Sequence, residues 1–165
     1  MIKILGYYSE SFADAPGVSC VIFISGCRHN CKGCHSPGTH DFSNGIELTE
    51  EVIKEINDEI DKRPFLSELV LSGGDPMYSA KEILPILDKL HIPHNQIWCY
   101  SGFTFEQILQ NKDMKRLLER CNVLVDGMFD ITKRDITLQF RGSSNQRIID
   151  VPESLKRGRV IPWNQ

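Results

Sequence analysis

The chain has 165 residues, of which 41% are hydrophobic and 25% are charged, a composition typical of one ordinary globular domain spanning residues 1–165. Its 19 basic and 22 acidic residues give a formal net charge of -3 without a long basic block, which argues against a nucleic-acid partner. The apolar runs are too short for a signal peptide or a bilayer-spanning helix, so we expect a cytoplasmic protein with no membrane association.

Short β-branched runs alternate along the chain with amphipathic segments, a pattern that predicts repeated βα units. Strands are predicted at 20–25, 68–74, 95–102 and 122–127, with weaker candidates at 137–140 and 147–150. Helices are predicted at 49–62 behind Thr49, from a capping box of Ser79 and Glu82, and from a box of Thr104 and Gln107 to about Arg120 with an interruption near Asn111. The remainder of the C-terminal segment 141–165 is predicted to be irregular and available for a partner contact.

Strands that follow one another through helices predict a parallel α/β sheet with right-handed crossovers. A complete eight-unit barrel needs about 250 residues. The chain is therefore predicted to form a partial, open (β/α) TIM-like barrel. Ligands of such folds gather at the carboxyl ends of the strands, and the segments "GCRHNCKGC", "SGGDP", "YSG" and "VDG" all follow predicted strands. We expect them to converge on one site.

Three of the six cysteines lie in the loop at 26–40 with Cys-x3-Cys-x2-Cys spacing, and they are Cys27, Cys31 and Cys34. Such clustered thiolates suit zinc, copper(I) or an iron-sulfur cluster. A structural zinc site would take His35 or His40 as its fourth ligand. A [4Fe-4S] cluster would instead keep one iron without a protein thiolate, open to another ligand. The other cysteines, Cys20, Cys99 and Cys121, stand in strand-like surroundings and are predicted to be buried core residues.

The segment "SGGDP" supplies Gly73, Gly74 and Asp75 one βα unit after the cysteine loop. Paired glycines let a backbone approach a ligand closely, and an acid complements the ammonium group of a bound amino acid. Alone, this tripeptide would usually be read as a turn. Its place beside the cysteine loop makes it a candidate binding motif.

With these motifs, the sequence resembles the radical S-adenosylmethionine superfamily. The further stretches "CYSGFTFEQ", "VLVDGMF" and "FRGSSNQRIID" resemble the family of activating enzymes of anaerobic (class III) ribonucleotide reductases. Most of the superfamily carries an aromatic residue where this chain has Gly33, although glycine is an accepted form in this family. Asp75 stands where glutamate is commoner.

The resemblance implies that Cys27, Cys31 and Cys34 hold one [4Fe-4S] cluster and that the fourth iron binds S-adenosylmethionine. Its implied contacts are Gly73, Gly74, Asp75, Ser101 and Asp126. The implied reaction is reductive cleavage of S-adenosylmethionine, followed by hydrogen abstraction from a glycine of anaerobic ribonucleoside-triphosphate reductase. An external low-potential donor such as flavodoxin is the implied source of the electron.

Two alternatives stay open. The chain could be another small radical S-adenosylmethionine enzyme, either an activator of a different glycyl-radical enzyme or a 7-carboxy-7-deazaguanine synthase. It could also be a non-catalytic zinc or electron-transfer module. The sequence assigns no role to His29, His35, Arg141 or Arg147, which lie in or near these motifs.

Overall fold

The computed structural model of the protein describes residues 1–34 and 37–164. In this part of the chain, seven strands form one sheet: β1 (Lys3–Ser11), β2 (Ser19–Ile24), β3 (Ile46–Glu47), β4 (Glu68–Gly73), β5 (Ile97–Tyr100), β6 (Val123–Asp126) and β7 (Arg147–Asp150). The α-helices are α1 (Glu50–Asp61), α2 (Ala80–Leu87), α3 (Phe105–Ile108), α4 (Lys112–Glu119) and α5 (Val151–Arg157). None of these helices has the length and apolar character needed to span a bilayer.

The strand order is β3-β1-β2-β4-β5-β6-β7. The central strands β2, β4, β5 and β6 run parallel, while β1, β3 and β7 join the sheet in antiparallel pairings. The predicted open α/β sheet, with parallel strands separated by helices, is confirmed. The strand order does not confirm the more specific likeness to part of a TIM barrel.

Successive side chains of the central strands point to opposite faces of the sheet, and both faces are covered. The sequences of these strands are therefore apolar almost throughout. In β2, Cys20, Ile22 and Ile24 belong to the core that the helices cover, whereas Val21 belongs to a smaller core on the other face. That smaller core also contains Trp98 of β5, whose ring packs edge-on against other aromatic rings. Parallel strands covered on both faces need apolar side chains in both directions. Cys20, Cys99 and Cys121 are buried and free, as predicted.

Two helix signals in the sequence are confirmed in detail. The Thr104 hydroxyl accepts from the N–H of Gln107, and the Gln107 side chain accepts in return from the N–H of Thr104, so the capping box begins α3. The Asn111 side chain accepts from two backbone N–H groups at the start of α4. The predicted interruption near Asn111 is therefore the boundary between two helices, because an N-cap residue adopts a non-helical conformation.

The predicted capping box at Ser79 is wrong. The Ser79 side chain makes no capping hydrogen bond, and α2 is preceded by a 3₁₀ turn at Pro76–Ser79. Asp75 caps that turn by accepting from the N–H of Met77. Proline in the first turn and an aspartate before it favour this earlier start.

The ends of the chain depart most from the sequence predictions. Strand β1 was not predicted, and the candidate strand at 137–140 is absent, because the N–H and hydroxyl of Thr137 bond to the Asp135 side chain in a turn. The C-terminal segment 141–165, predicted to be irregular outside its candidate strand, contains β7 and also α5. Asp150 caps α5, and Gly158 ends it in a left-handed conformation, so the helix signals were present in the sequence.

A buried carboxyl group in β4 gives a pH-dependent prediction. Ser19 donates to Glu68 at 2.9 Å, and burial raises the pKa of Glu68 while this hydrogen bond opposes the rise. Because the pKa is raised in the folded state, stability is lost as the pH rises through it. Glu68→Gln keeps an acceptor for Ser19 and removes the charge.

We expect the Glu68→Gln protein to resist urea better than the wild type at pH 8, with a difference that shrinks toward about pH 4. Urea unfolding of the metal-free protein across this pH range measures the effect. Glu119→Gln, on an exposed helix position, should show no such trend. Parallel stability curves for Glu68→Gln and wild type at every pH would contradict the prediction.

Candidate functional site

A cavity of about 680 Å³ lies at the carboxyl ends of the parallel strands. The sequence-predicted residues in its lining are Cys27, Cys31, Cys34, Gly73, Gly74 and Ser101. Gly127, which follows β6, lines it as well. The cysteine loop and the segments after β4, β5 and β6 therefore meet at one place, as expected for ligand-binding loops of a parallel α/β sheet.

Backbone hydrogen bonds fix the base of the cysteine loop. The N–H of Gly26 donates to the carbonyl of Thr39 at 2.6 Å, and the N–H of Cys27 donates to the carbonyl of His40 at 3.2 Å. The loop therefore closes on itself directly after β2. Gly33 has a φ of +75°, a conformation that glycine adopts far more readily than an aromatic residue. This explains why this loop has glycine before the third cysteine.

The three loop cysteines form no disulfide and are half-buried. Burial raises the pKa of Cys27 to about 11, although a backbone hydrogen bond from His29 opposes the rise, and the neighbouring Asp75, Cys31 and Cys34 raise it further. Burial also raises the pKa of Cys31, where a backbone hydrogen bond from Phe129 partly offsets it. A metal that binds here would release the protons of these thiols.

The donor set suits an iron-sulfur cluster better than a single ion. Within residues 1–34 and 37–164, no three cysteine, histidine or acidic side chains are grouped as a ready site for one metal ion. In a [4Fe-4S] cluster each thiolate binds a different iron, so three thiols around one cavity fit that group. His40 does not line this cavity, and the proposed role of His35 as a zinc ligand falls outside the described residues.

The glycine pair packs against the cysteine loop as well as lining the cavity. Gly73 has a φ of +97°, and a Cβ atom there would lie 2.5 Å from the carbonyl oxygen of Ile24. A Cβ atom on Gly74 would lie 2.4 Å from the carbonyl oxygen of Gly26. The N–H of Gly74 donates to Ile24 and that of Asp75 to Gly26, at 2.7 and 2.9 Å. Glycine is thus required at Gly73 by the close approach to the end of β2 and at Gly74 by the close approach to the cysteine loop.

Asp75 is buried, and its carboxylate does not line the cavity. One oxygen, Oδ2, accepts from the Nε2 of His29 at 2.6 Å, from the Ser101 hydroxyl at 3.0 Å and from the N–H of Gly102 at 2.9 Å. The other oxygen accepts from Met77. The sequence predicted a contact between this acid and the bound cofactor, whereas its partners here all belong to the protein.

Ser101 lines the cavity beside these groups. Its hydroxyl donates to Asp75 and accepts from the N–H of Phe103 at 3.0 Å. The "YSG" turn is therefore attached to the segment after β4. Its predicted contact with S-adenosylmethionine remains a prediction.

Asp126 lies outside this cavity, although its neighbour Gly127 lines it. Its carboxylate accepts from the backbone N–H of Phe105 at 2.7 Å and from two guanidinium nitrogens of Arg147 at 2.6 and 3.0 Å. Arg147 also pairs with Glu106 at the start of α3. Sequence reasoning missed this pairing, although a buried acid at a strand end always needs a partner. Arg141 lines the cavity and donates to the carbonyl of Gln146.

We expect Arg147→Met to destabilise the protein, because it leaves the buried Asp126 carboxylate with one backbone donor. The Arg147 side chain is 39% exposed, so the loss should be about 2 to 3 kcal/mol rather than that of a fully buried ion pair. Urea unfolding of the metal-free protein measures it. Arg157→Met, which breaks an exposed helix pair with Glu153, should cost less than about 0.5 kcal/mol. Equal losses in the two variants would show that Arg147 does not support Asp126.

Comparisons with known proteins agree on one family. A family model described as a 4Fe-4S single cluster domain matches residues 13–149. The chain is 37% identical over 150 residues to the anaerobic ribonucleoside-triphosphate reductase-activating protein of Vibrio cholerae serotype O1, a match that covers 86% of this chain and 94% of the relative. Relatives of the same name from Haemophilus influenzae and Escherichia coli (strain K12) are 35% and 34% identical over 87% and 85% of this chain, and 95% and 93% of their own length.

Proposed function

Because the chain belongs to the family of anaerobic ribonucleoside-triphosphate reductase-activating proteins and carries a 4Fe-4S single cluster domain, we propose that it activates an anaerobic ribonucleotide reductase by radical S-adenosylmethionine chemistry. The observation that carries this proposal is the cavity that is lined both by the three loop cysteines, none of which forms a disulfide, and by the glycine pair after β4. Three thiolates leave one iron of a [4Fe-4S] cluster without a protein ligand. That iron is the proposed binding position for S-adenosylmethionine.

A cluster bound here and reduced by one electron would supply the electron that splits S-adenosylmethionine into methionine and a 5′-deoxyadenosyl radical. That radical would take a hydrogen atom from a reductase glycine, giving 5′-deoxyadenosine and a glycyl radical. The chain itself holds and orients the participants. Cys27, Cys31 and Cys34 are the proposed cluster ligands. Gly73 and Gly74 bring the backbone close to the amino-acid end of S-adenosylmethionine.

The loops after β5 and β6 complete the proposed binding site. Ser101 lines the cavity and is the proposed contact for the adenosine end of the cofactor. Asp126 lies outside the cavity, and its carboxylate is hydrogen-bonded to Arg147 and to the N–H of Phe105. Its proposed role at the adenosine end is therefore indirect. The cavity residue Gly127 follows Asp126 directly. The paired acid therefore fixes where that part of the lining lies.

An open sheet suits a protein substrate. The sheet does not close, since β3 and β7 are its outermost strands, and we propose that it corresponds to the open part of a barrel, into which the reductase inserts its glycine-bearing loop. The partner would then supply part of the enclosure that keeps water away from the radical.

We propose a single domain over 1–165, a cytoplasmic location, and a low-potential donor such as flavodoxin as the electron source.

The decisive experiment mixes the reduced protein, S-adenosylmethionine and the anaerobic reductase without oxygen, and records the electron paramagnetic resonance (EPR) spectrum. We expect a glycyl-radical signal on the reductase together with methionine and 5′-deoxyadenosine. Cleavage of S-adenosylmethionine without a glycyl radical would reject the reductase as substrate and would favour another small radical enzyme. Anaerobically purified protein with tetrahedral zinc and no iron or sulfide would reject the radical chemistry itself.

A further inference from the structure

We propose that Asp75 is a positioning residue that fixes the cysteine loop through His29, and that it does not contact the bound amino-acid group of the cofactor. This inference rests on the proposed function, since it concerns how the cluster ligands are held. It assigns a role to His29, whose function could not be predicted from the sequence. It also changes the role that the sequence predicted for Asp75.

Both carboxylate oxygens of Asp75 already accept hydrogen bonds from within the protein. A carboxylate offers about four lone-pair sites. Four protein donors reach the two oxygens here: His29, Ser101 and Gly102 share Oδ2, and Met77 donates to Oδ1. Asp75 is only 1% exposed and does not line the cavity, so an ammonium group could reach its carboxylate only by displacing the protein groups packed around it.

His29 is held as firmly from its other sides. Its ring lies 4.5 Å from the ring of Phe103 and 5.1 Å from that of Tyr78, between centroids, with the planes tilted or nearly perpendicular. A Cβ atom on Gly102 would lie 2.6 Å from the Cδ2 of His29, so a larger residue in the turn after β5 would force the ring to move. Edge-on aromatic contacts and a short hydrogen bond together select one ring orientation.

Because His29 lies between two of the proposed cluster ligands in the chain, holding its side chain in place also holds those ligands in place. His29 is the second residue after Cys27 and the second before Cys31, and its backbone hydrogen-bonds to the Cys27 thiol. Fixing its side chain therefore fixes the segment that joins two of the three proposed ligands. Through Asp75, that segment is attached to the ends of β4 and β5, which carry Gly74 and Ser101 on the cofactor side. One carboxylate thus sets the distance between the cluster ligands and the proposed cofactor contacts.

His29→Phe tests the inference most cleanly, because it keeps an aromatic ring against Phe103 and removes the N–H that reaches Asp75. Hydrogen-deuterium exchange of the metal-free protein should show faster exchange in the cysteine loop. In the reconstituted protein without S-adenosylmethionine, a chelator should remove iron about tenfold faster than from the wild type. His29→Gln, whose amide N–H can replace the ring N–H, should restore most of the iron retention.

Asp75→Asn separates positioning from direct contact. If Asp75 positions the loop, this change also speeds iron loss in the absence of S-adenosylmethionine. Combining it with His29→Phe should then add little to the rate of iron loss, because both changes break the same contact between His29 and Asp75. The reduced cluster of either variant should give a broadened EPR signal when S-adenosylmethionine is added. His91→Phe is the matched control, since His91 forms a similar pair with Asp61 at 2.8 Å on the surface.

Two results would overturn the inference. The first is normal exchange and iron retention in both variants, with weakened S-adenosylmethionine binding only in Asp75→Asn, which would make Asp75 a direct contact. The second is a fully additive double variant. A wild-type protein that takes up no iron-sulfur cluster would instead reject the proposed function, and hydrogen exchange of the metal-free His29→Phe protein would still decide whether His29 anchors the loop.

Discussion

Replacement of Cys27, Cys31 or Cys34 by alanine is expected to abolish both stable cluster binding and cleavage of S-adenosylmethionine. The three side chains line one cavity, and each would bind a separate iron. Removing one leaves a second iron without a protein ligand, so the cluster loses both affinity and its single open position. Iron and sulfide content after anaerobic reconstitution, with chromatography of 5′-deoxyadenosine, measures the two effects.

Cys99→Ala is the matched control for these three changes. Cys99 is fully buried in the core and does not line the cavity. Its loss should cost about 1 kcal/mol of stability and leave the iron content and S-adenosylmethionine cleavage near wild-type values. Full activity in any of the three loop variants, or loss of the cluster in Cys99→Ala, would contradict the division between ligand and core cysteines.

Gly74→Ala should strongly lower both the stability of the protein and its rate of S-adenosylmethionine cleavage. The added Cβ atom would lie 2.4 Å from the oxygen of Gly26 and 2.8 Å from that of Thr39. Both are backbone atoms that cannot rotate away, so the segment after β4 must move apart from the cysteine loop. We expect a loss of about 3 kcal/mol in stability and a fall of about 100-fold in S-adenosylmethionine cleavage, because the ligands and the cofactor contacts are displaced.

Gly38→Ala separates this steric effect from a general loss of glycine flexibility. Gly38 also lies in the loop at 26–40, but a Cβ atom there would meet no heavy atom within 4 Å. The stability of the Gly38→Ala protein should stay within about 0.5 kcal/mol of the wild type, and its rate of S-adenosylmethionine cleavage should be unchanged. Urea unfolding and single-turnover cleavage assays compare the two variants. A Gly74→Ala protein as stable and active as Gly38→Ala would show that the close approach is not needed.

Local features of the structure could be predicted wherever neighbouring residues decide them. The four parallel strands are apolar runs, because both of their faces are covered. Thr104 and Asn111 cap their helices through side chains that reach only two or three residues along the chain. The clustering of the loop cysteines is likewise visible in their spacing.

Tertiary structure decided which partners the acidic groups have. Asp75 bonds to His29, 46 residues away, and Asp126 bonds to Arg147, 21 residues away, across neighbouring strand ends. No local spacing distinguishes these acids from ligand contacts, since a buried carboxylate is satisfied equally by a protein donor or by a bound cation. The cysteine spacing and the apolar runs were enough to locate the proposed cluster-binding loop and the central strands. The fold determined that both acids face other protein groups, because only the packed sheet brings these donors within hydrogen-bonding distance.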